Sequence, residues 1–462
     1  MRSRNTTTVC LVSLGCPKNL VDSEKMLAAL AQGGCVVGAP MEEADVIVVN
    51  TCGFLSAARD ESLAVIREAL SQKSAGRARR VVVAGCLVNR DADKLFDLAP
   101  GIDAVVGVND RDDLLAAATG KRRVSMITPY GDQGEGARAA THGGAGAAST
   151  ASEISSIASD AGRFRLTPRH TAYLRISEGC SQRCTFCTIP AIRGPFRSKS
   201  PQQVLAEARE LIADGAMELN VIGQDTTSYG MDLPEAKTNL AGLMRSLDGL
   251  DGVQWVRLLY AYPNRFGDAL IDTLTSCEKI VPYVDIPLQH IADGVLRRMG
   301  RRVTRQRTET LLGKLRDRVK GMTIRTTFIV GFPGETQADF RELLAFVKDF
   351  KFDALGVFEY SPEEGTPSAR MDKQVLAELK RERAGQIMLA QQKIAFAANR
   401  RRVGKPLRVL VDGTDAQGRC LARHAGQAPD IDSICLLGQP RPTGQFVTAK
   451  VIAADGYDLV LE

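Results

Sequence analysis

Residues 173–187 read YLRISEGCSQRCTFC, a strand-like run followed at once by three closely spaced cysteines. Tyr173–Ser177 predicts a β-strand, and the glycine-containing turn after it leads directly into the cysteines. Loops at the carboxyl ends of strands carry the ligand sites of α/β folds. The stretch therefore predicts a strand that opens an α/β domain and a loop that holds a metal group.

The same strand-and-helix alternation continues after this loop. The strand-like runs are Tyr173–Ser177, Leu219–Ile222, Trp255–Tyr260, Tyr283–Ile286, Thr326–Val330 and Leu355–Tyr360. Helical patterns separate them, among them Pro201–Ala213 and Thr336–Phe350. A full eight-unit barrel needs ~250 residues, so six β–α units over residues 166–397 predict a partial (βα)6 barrel.

The residues before this domain also alternate between strands and helices. β-branched runs at Thr8–Leu14, Asp45–Val49 and Val81–Ala84 are separated by amphipathic segments such as Asn19–Gln32 and Leu55–Ser71. This pattern predicts a doubly wound parallel sheet over residues 7–123. Residues 124–165 follow, and most of this stretch is rich in Gly, Ala and Ser without periodicity, which predicts a flexible linker.

The last part of the chain changes character at residue 398. Short β-like runs at Leu407–Val411, Phe446–Ile452 and Tyr457–Leu461 are separated by turns of Gly, Pro and Asp. Such spacing predicts a small antiparallel β-barrel over residues 398–462.

Composition narrows the class of protein. The 462 residues are 44% hydrophobic and 25% charged, with a net charge of +6, as expected of a globular protein with several domains. No apolar run approaches the ~20 residues that cross a bilayer, and polar threonines with Pro17 interrupt any signal peptide. A cytoplasmic location is therefore expected. Eleven cysteines against four histidines favour thiolate ligation of metal in a reducing compartment.

Cys180, Cys184 and Cys187 form the sharpest motif in the chain. Thiolates are the preferred ligands of iron–sulfur clusters, and three of them leave one iron of a four-iron cluster open. An open iron can bind S-adenosylmethionine (SAM) and pass it the electron that releases a 5′-deoxyadenosyl radical. A structural zinc site is the alternative, but it needs a fourth ligand, and none lies within a few residues.

Cys16, Cys52 and Cys86 form a second set with a shared context. Each follows a strand-like run, and the carboxyl ends of parallel strands share one edge of the sheet, where ligands bind. Gly15 and Gly85 precede two of them and allow the backbone to approach a bulky group. The alternative is three buried structural thiols. The shared placement favours a second cluster site.

Several further residues are candidates for SAM binding. Phe186 lies beside Cys187 and either contacts the adenine of SAM or packs under the loop. Gln224 and Asp225 follow the second strand of the central domain, and the loop 331–335 follows the fifth. Both segments fit either SAM contact or ordinary turn chemistry. His290 follows the fourth strand and either lines the pocket or packs in the wall.

The motifs LGCPKNLVDSE, NTCGFL, AGCLVNR and SEGCSQRCTFCTIPAIRG resemble those of the radical-SAM methylthiotransferases. The resemblance covers nearly the whole chain, and the tail is similar to the TRAM domain of that family. It implies an auxiliary [4Fe-4S] cluster on Cys16, Cys52 and Cys86 and a SAM-cleaving [4Fe-4S] cluster on the other three cysteines. It also implies that SAM serves twice, as a methyl donor and as the source of the radical.

One branch of this family is most similar to the motifs IGQDTTSYG, YVDIPLQH and FEYSPEEGTPSA and to the tail segment 423–432. That branch methylthiolates the β-carbon of an aspartate in ribosomal small-subunit protein twelve. The implied partners are that protein, free or on the assembling subunit, and an electron donor of the flavodoxin or ferredoxin type. Residues 399–462 carry nine Lys or Arg against seven Asp or Glu, so at most weak RNA contact is expected. The alternatives are a tRNA adenosine methylthiotransferase and a non-catalytic iron–sulfur sensor or RNA-binding protein.

Overall fold

The computed structural model describes residues 6–91, 94–120, 125–126, 157–233 and 238–462. The chain forms two compact units. The first contains the described residues up to 166 together with Ser177–Gln182 and Thr188–Lys199, and the second contains Thr167–Ile176, Arg183–Cys187 and Ser200–Glu462. Within the described residues, no helix combines the length and the apolar character that crossing a membrane requires.

The first unit is built on a parallel sheet. Its strands are β1 (Thr8–Ser13), β2 (Val36–Val37), β3 (Val46–Thr51), β4 (Arg80–Gly85), β5 (Ala104–Val106) and β6 (Ser125–Met126), and its helices are α1 (Pro17–Gln32), α2 (Ser56–Ser74), α3 (Cys86–Asp91), α4 (Lys94–Leu98) and α5 (Leu114–Thr119). The strand order is β2-β1-β3-β4-β5-β6, and every described pairing is parallel.

Apolar side chains on both faces of this sheet explain the doubly wound arrangement. β3 is buried along its whole length, with Ile47 and Val49 in one apolar cluster and Val46 and Val48 in another. α2 contributes to the first cluster, while α1 and α5 contribute to the second. Strands buried on both faces are typical of parallel sheets covered by helices. The predicted doubly wound sheet is confirmed.

The predicted flexible linker lies mostly outside the described residues. Two parts of it are described: residues 125–126 form β6 of the first sheet, and residues 157–165 contact α1 within the first unit. Arg163 pairs with Glu24 at 3.2 Å, and Lys25 donates to the carbonyl of Ala161 at 2.7 Å.

The cysteine loop contributes residues to both units. The strand β7 (Thr171–Arg175) belongs to the second unit and is followed by β8 (Ser177–Glu178), α6 (Ile189–Arg193) and β9 (Arg197–Ser198) in the first unit. β8 and β9 form a two-stranded antiparallel sheet, which the sequence pattern did not predict.

The second unit contains the central sheet and the carboxyl-terminal barrel. The remaining central strands are β10 (Glu218–Ile222), β11 (Trp255–Leu258), β12 (Ile280–Asp285), β13 (Thr323–Val330) and β14 (Ala354–Glu359), and the helices are α7 (Pro201–Ala213), α8 (Leu240–Asp248), α9 (Asp268–Ser276), α10 (Asp293–Arg298), α11 (Arg305–Arg318), α12 (Gln337–Phe350) and α13 (Ala377–Arg400).

The central sheet has the strand order β7-β10-β11-β12-β13-β14, with all pairs parallel. Each strand lies beside the next one along the chain, as in a barrel, but no pairing of described residues joins β14 back to β7. The predicted open six-unit barrel is confirmed.

Local signals set its helix starts, because Ser200 caps α7 and Thr336 forms a capping box with Asp339 at α12.

The carboxyl-terminal barrel closes in the order β15-β16-β17-β19-β18, with β15 (Pro406–Thr414), β16 (Cys420–His424), β17 (Cys435–Leu437), β18 (Phe446–Asp455) and β19 (Asp458–Leu461). Four of its five pairings are antiparallel, and β17 pairs with β19 in parallel. An odd number of strands cannot alternate direction around a closed ring. The predicted barrel is therefore present, but one of its pairs departs from the antiparallel pattern.

Candidate functional site

The first set of cysteines lies at the ends of three neighbouring strands. Cys16 precedes α1 directly after β1, Cys52 follows β3, and Cys86 begins α3 after β4. β3 pairs with both β1 and β4, and the strand order reverses between β1 and β3. Parallel sheets bind ligands outside the carboxyl ends of their strands at such a switch point.

Close backbone packing brings the first two of these cysteines together. Gly15, immediately before Cys16, has φ +89°, and a Cβ atom there would lie 2.9 Å from Cβ and 3.2 Å from Sγ of Cys52. A side chain at this position would clash, and the left-handed backbone favours glycine in any case. The turn that carries Cys16 therefore packs directly on Cys52.

Charge at this site is set by two buried cations. Burial raises the pKa of the Cys16 thiol, but Lys18, Arg193 and backbone N–H groups outweigh it, so the pKa lies below its usual value. Burial raises the pKa of Cys52, and it raises that of Cys86 to about 12. The cysteines influence one another electrostatically, so the three thiols form one group. Cations beside them favour an anionic ligand set.

Arg193 is a buried residue beside these cysteines that sequence reasoning missed. It lies at the end of α6 and is 2% exposed. Its guanidinium donates to Asn19 at 3.0 Å and to Asp22 at 2.9 Å, and it pairs with Glu178 at 3.1 Å. Asn19 and Asp22 are more than 170 positions away in the sequence. The only local signal is a single arginine in the apolar segment IPAIR, and it does not identify those partners.

Cys180 belongs to the first unit. It is 9% exposed, and its backbone N–H donates to the carbonyl of Gly194 at 3.0 Å. The N–H of Gln182 points to its Sγ at 3.5 Å. A backbone donor aimed at sulfur is typical of thiolates that hold iron–sulfur clusters.

Cys184 and Cys187 belong to the second unit and share one turn. The N–H of Cys187 donates to the carbonyl of Cys184 at 3.2 Å. Between them, the ring of Phe186 meets that of Phe332 edge-on, with centroids 6.3 Å apart. Phe186 therefore packs against the loop 331–335, and its contact with SAM stays a prediction.

Asp225 and Gln224 occupy different surroundings after β10. The carboxylate of Asp225 is 2% exposed and accepts hydrogen bonds from the hydroxyls of Thr227 at 2.7 Å and Ser228 at 2.6 Å. It therefore organises its own turn. Gln224 is only partly buried. Direct SAM contact by either residue stays a prediction.

Glu335 organises the loop after β13. Its carboxylate accepts the N–H groups of Gly331 at 2.5 Å and Phe332 at 3.1 Å, and it pairs with Arg383 at 3.0 Å.

His290 is 1% exposed, its Nδ1 accepts the N–H of Ala292 at 3.0 Å, and burial lowers its pKa to about 3. Both alternatives for His290, lining the pocket and packing in the wall, stay predictions.

The next feature of the site is the spacing of its possible metal ligands. Among the described residues, no three His, Cys, Asp or Glu side chains converge tightly enough to hold one metal ion. A four-iron cluster holds its thiolates on separate irons, so its ligands stand farther apart than those of zinc. Arg193 acts electrostatically on Cys16, Cys52 and Cys86, and Lys18 on Cys16, and ligation of a cluster by these thiols stays a prediction.

Three family models match successive parts of the chain. Residues 8–107 match the uncharacterized protein family UPF0004, residues 174–347 match the radical SAM superfamily, and residues 403–462 match the TRAM domain. The fold and the cysteine loop after β7 thus define a radical SAM enzyme with two additional modules. Membership of that superfamily implies a [4Fe-4S] cluster and SAM.

Relatives similar over the full length narrow the class further. The chain is 41% identical to the ribosomal protein uS12 methylthiotransferase RimO of Geobacter sulfurreducens, over 98% of both chains. It is 42% identical to the protein of that name from Anaeromyxobacter sp. (strain K), over 98% of this chain and 92% of the relative. The chain therefore belongs to the RimO family of radical SAM methylthiotransferases. The expected family is confirmed, and the tRNA-modifying alternative is not favoured.

Solved structures support the fold alone. The radical SAM methyltransferase TsrM from Kitasatospora setae superposes with a TM-score of 0.55 at 17% identity, over 79% of this chain and 74% of that one. The cobalamin-dependent SAM radical enzyme OxsB gives a TM-score of 0.51 at 14% identity, over 84% of this chain and 56% of the other.

Proposed function

We propose that this protein adds a methylthio group to the β-carbon of an aspartate in ribosomal protein uS12, with two [4Fe-4S] clusters and two SAM molecules per turnover. The observation that carries the proposal is the grouping of Cys16, Cys52 and Cys86 at the switch point of the first sheet. A radical enzyme that only abstracts hydrogen needs one cluster. A second three-thiol site supports sulfur insertion.

Three cysteines per site give each set a defined task. Cys180, Cys184 and Cys187 would hold the cluster that cleaves SAM, and Cys16, Cys52 and Cys86 would hold the auxiliary cluster. When bound, these groups supply the electron that cleaves SAM and an open iron that can carry exogenous sulfur. The chain itself would supply the thiolates, the buried cations Lys18 and Arg193, and the close packing of Gly15 on Cys52.

The residues predicted to contact SAM divide into direct and supporting roles. Phe186 would offer a ring edge to the adenine, and Gln224 would offer its amide. Asp225 would act mainly by shaping the turn Thr226–Ser228, since both of its oxygens accept hydroxyl hydrogen bonds. The hydrogen bonds of Asp225 support its supporting role.

Partners follow from the proposed reaction. Cleavage of SAM requires an external electron donor of the flavodoxin or ferredoxin type, and the substrate is uS12, free or on the assembling small subunit. A ribosomal substrate implies a cytoplasmic enzyme. The net charge of +2 in residues 399–462 supports only weak contact with RNA phosphates.

Mass spectrometry of uS12 and of tRNA from a strain lacking the gene tests the substrate. The methylthio group should disappear from one aspartate of uS12 and should return with the wild-type gene, while methylthiolated tRNA nucleosides stay unchanged. A Cys52→Ala gene should fail to restore it. Loss confined to tRNA, with uS12 unchanged, would show that the proposed substrate is wrong.

A further inference from the structure

The segment that follows α10 holds the cysteine loop of the second unit in place. The backbone N–H of Thr185 donates to the carbonyl of Met299 at 3.0 Å, and its hydroxyl donates to the carbonyl of Arg298 at 2.8 Å. Two hydrogen bonds to consecutive carbonyls fix the residue between Cys184 and Phe186. The conformation of this loop is therefore set by the segment 298–301.

Gly300 allows this contact to be close. Its φ is +70°, and a Cβ atom there would collide with the carbonyl oxygen of Arg183. The backbone of the segment therefore packs directly on the residue before Cys184. Only glycine combines this left-handed conformation with the absence of a side chain.

Arg301 completes the segment with a direct contact to sulfur. Its Nη1 lies 3.9 Å from Sγ of Cys184, and its Nη2 donates to the carbonyl of Pro287 at 2.6 Å. The guanidinium also lies over the ring of Tyr262, 4.1 Å from the centroid. These three contacts fix the orientation of the guanidinium, so that Nη1 faces the thiol of Cys184.

The charge of Arg301 is buried without a carboxylate. The side chain is 7% exposed, and no described Asp or Glu forms an ion pair with it. A buried cation is costly unless an anion compensates it. Cys184 is the neighbour that becomes anionic when it ligates iron.

We propose that Arg301 is a positioning residue that compensates the charge of the SAM-cleaving cluster and raises its reduction potential through Cys184. The inference rests on the proposed function, because it assigns a cluster to Cys180, Cys184 and Cys187. Reduction adds one electron, and one negative charge, from an external reductant. A fixed cation with an N–H directed at a ligand sulfur stabilises the reduced state relative to the oxidised one.

The test is a redox titration of full-length protein with dithionite, followed by electron paramagnetic resonance. The titration starts from a background variant that carries Cys16→Ala, Cys52→Ala and Cys86→Ala. In this variant, only the SAM-cleaving cluster contributes to the signal. In that background, Arg301→Gln should keep its iron content and shift the midpoint potential to a more negative value. Arg301→Lys should shift it less, because the charge remains. Arg302→Gln is the matched control, since it removes an exposed neighbouring cation and should leave the midpoint unchanged.

If the background variant does not fold, the same titration is done on the protein with both clusters, and the signal that changes when SAM is added identifies the cluster in question. An unchanged midpoint in Arg301→Gln with a full iron complement would overturn the inference and leave the proposed function intact. Absence of any four-iron cluster and of any SAM-dependent signal in the wild-type chain would overturn the cluster assignment, and with it this inference.

Discussion

Arg193 and Cys86 share one acceptor, the side-chain oxygen of Asn19. The guanidinium donates to this oxygen at 3.0 Å, and the thiol of Cys86 lies 3.7 Å from it. Asn19 lies in the first turn of α1, three residues after Cys16. The hydrogen bonds to its side-chain oxygen therefore join the turns that carry Cys16 and Cys86 to α6. The position of the thiols therefore depends on a residue remote from all of them in sequence.

The first prediction concerns the stability that Arg193 provides. Arg193→Gln removes the buried cation that pairs with both Asp22 and Glu178, which costs about 3–5 kcal/mol in the free energy of unfolding. Urea denaturation of the iron-free chain measures this loss. Arg111→Gln is the control, because Arg111 also pairs with Asp22, at 2.8 Å, but is more exposed. Equal losses in the two variants would contradict the central role of Arg193.

The second prediction separates the tasks of the two cysteine sets. Cys184→Ala should abolish release of 5′-deoxyadenosine from SAM and should retain the absorbance of the auxiliary cluster, because its ligands are untouched. Cys52→Ala should retain SAM cleavage and lose methylthio transfer. Anaerobic assays of both products on the same preparations provide the measurement. If each variant lost both activities while folding normally, the division of tasks would be wrong.

The third prediction concerns the ion pairs that connect β10, β11 and β16. Glu218 is fully buried and lies 2.7 Å from Arg423 and 2.9 Å from Arg257. Burial alone would raise the pKa of Glu218, but the two guanidinium groups outweigh it and lower the pKa to about 2. The carboxylate therefore stabilises the folded protein at neutral pH, and this stabilisation is lost as the pH falls from 4.5 toward 2.

Glu218→Gln should lower the free energy of unfolding at pH 7 by about 3–5 kcal/mol, because it removes the carboxylate that pairs with Arg257 and one of the two that pair with Arg423. The difference from wild type should shrink as the pH falls below 4.5, where the unfolded chain protonates the same carboxyl. Denaturation curves at stepped pH values measure it. The control is Arg419→Ala, which removes an exposed pair in the same barrel and should change nothing. A pH-independent difference would contradict the assigned role of the Glu218 charge.

Local sequence patterns were enough to predict the three-part fold and the two cysteine sets. The runs of Val and Ile in β1, β3 and β4 mark strands because burial on both faces leaves them continuously apolar. The cysteines follow such runs directly, so their common edge follows from the geometry of parallel strands. Strands of two or three residues, such as β2, β5 and β17, are too short to give a pattern.

Long-range polar contacts could not be predicted in this way. The sequence of the tail segment 423–432 resembled that of its family, but it did not reveal the contacts of the segment. In the fold, Arg423 pairs with Glu218, and Tyr283 donates to Asp432 at 2.7 Å. Each of these pairs joins residues more than 140 positions apart. Hydrophobic periodicity carries no information about such partners. For the same reason, the sequence pattern did not identify Arg193 or Arg301.

Counting iron and acid-labile sulfide on protein purified without oxygen tests the central claim of two clusters most directly. Two four-iron clusters predict about eight irons and about eight sulfides per chain, falling to about four of each in Cys184→Ala and in Cys52→Ala. About four irons in the wild-type chain, unchanged by Cys52→Ala, would contradict the auxiliary cluster and the sulfur insertion that depends on it.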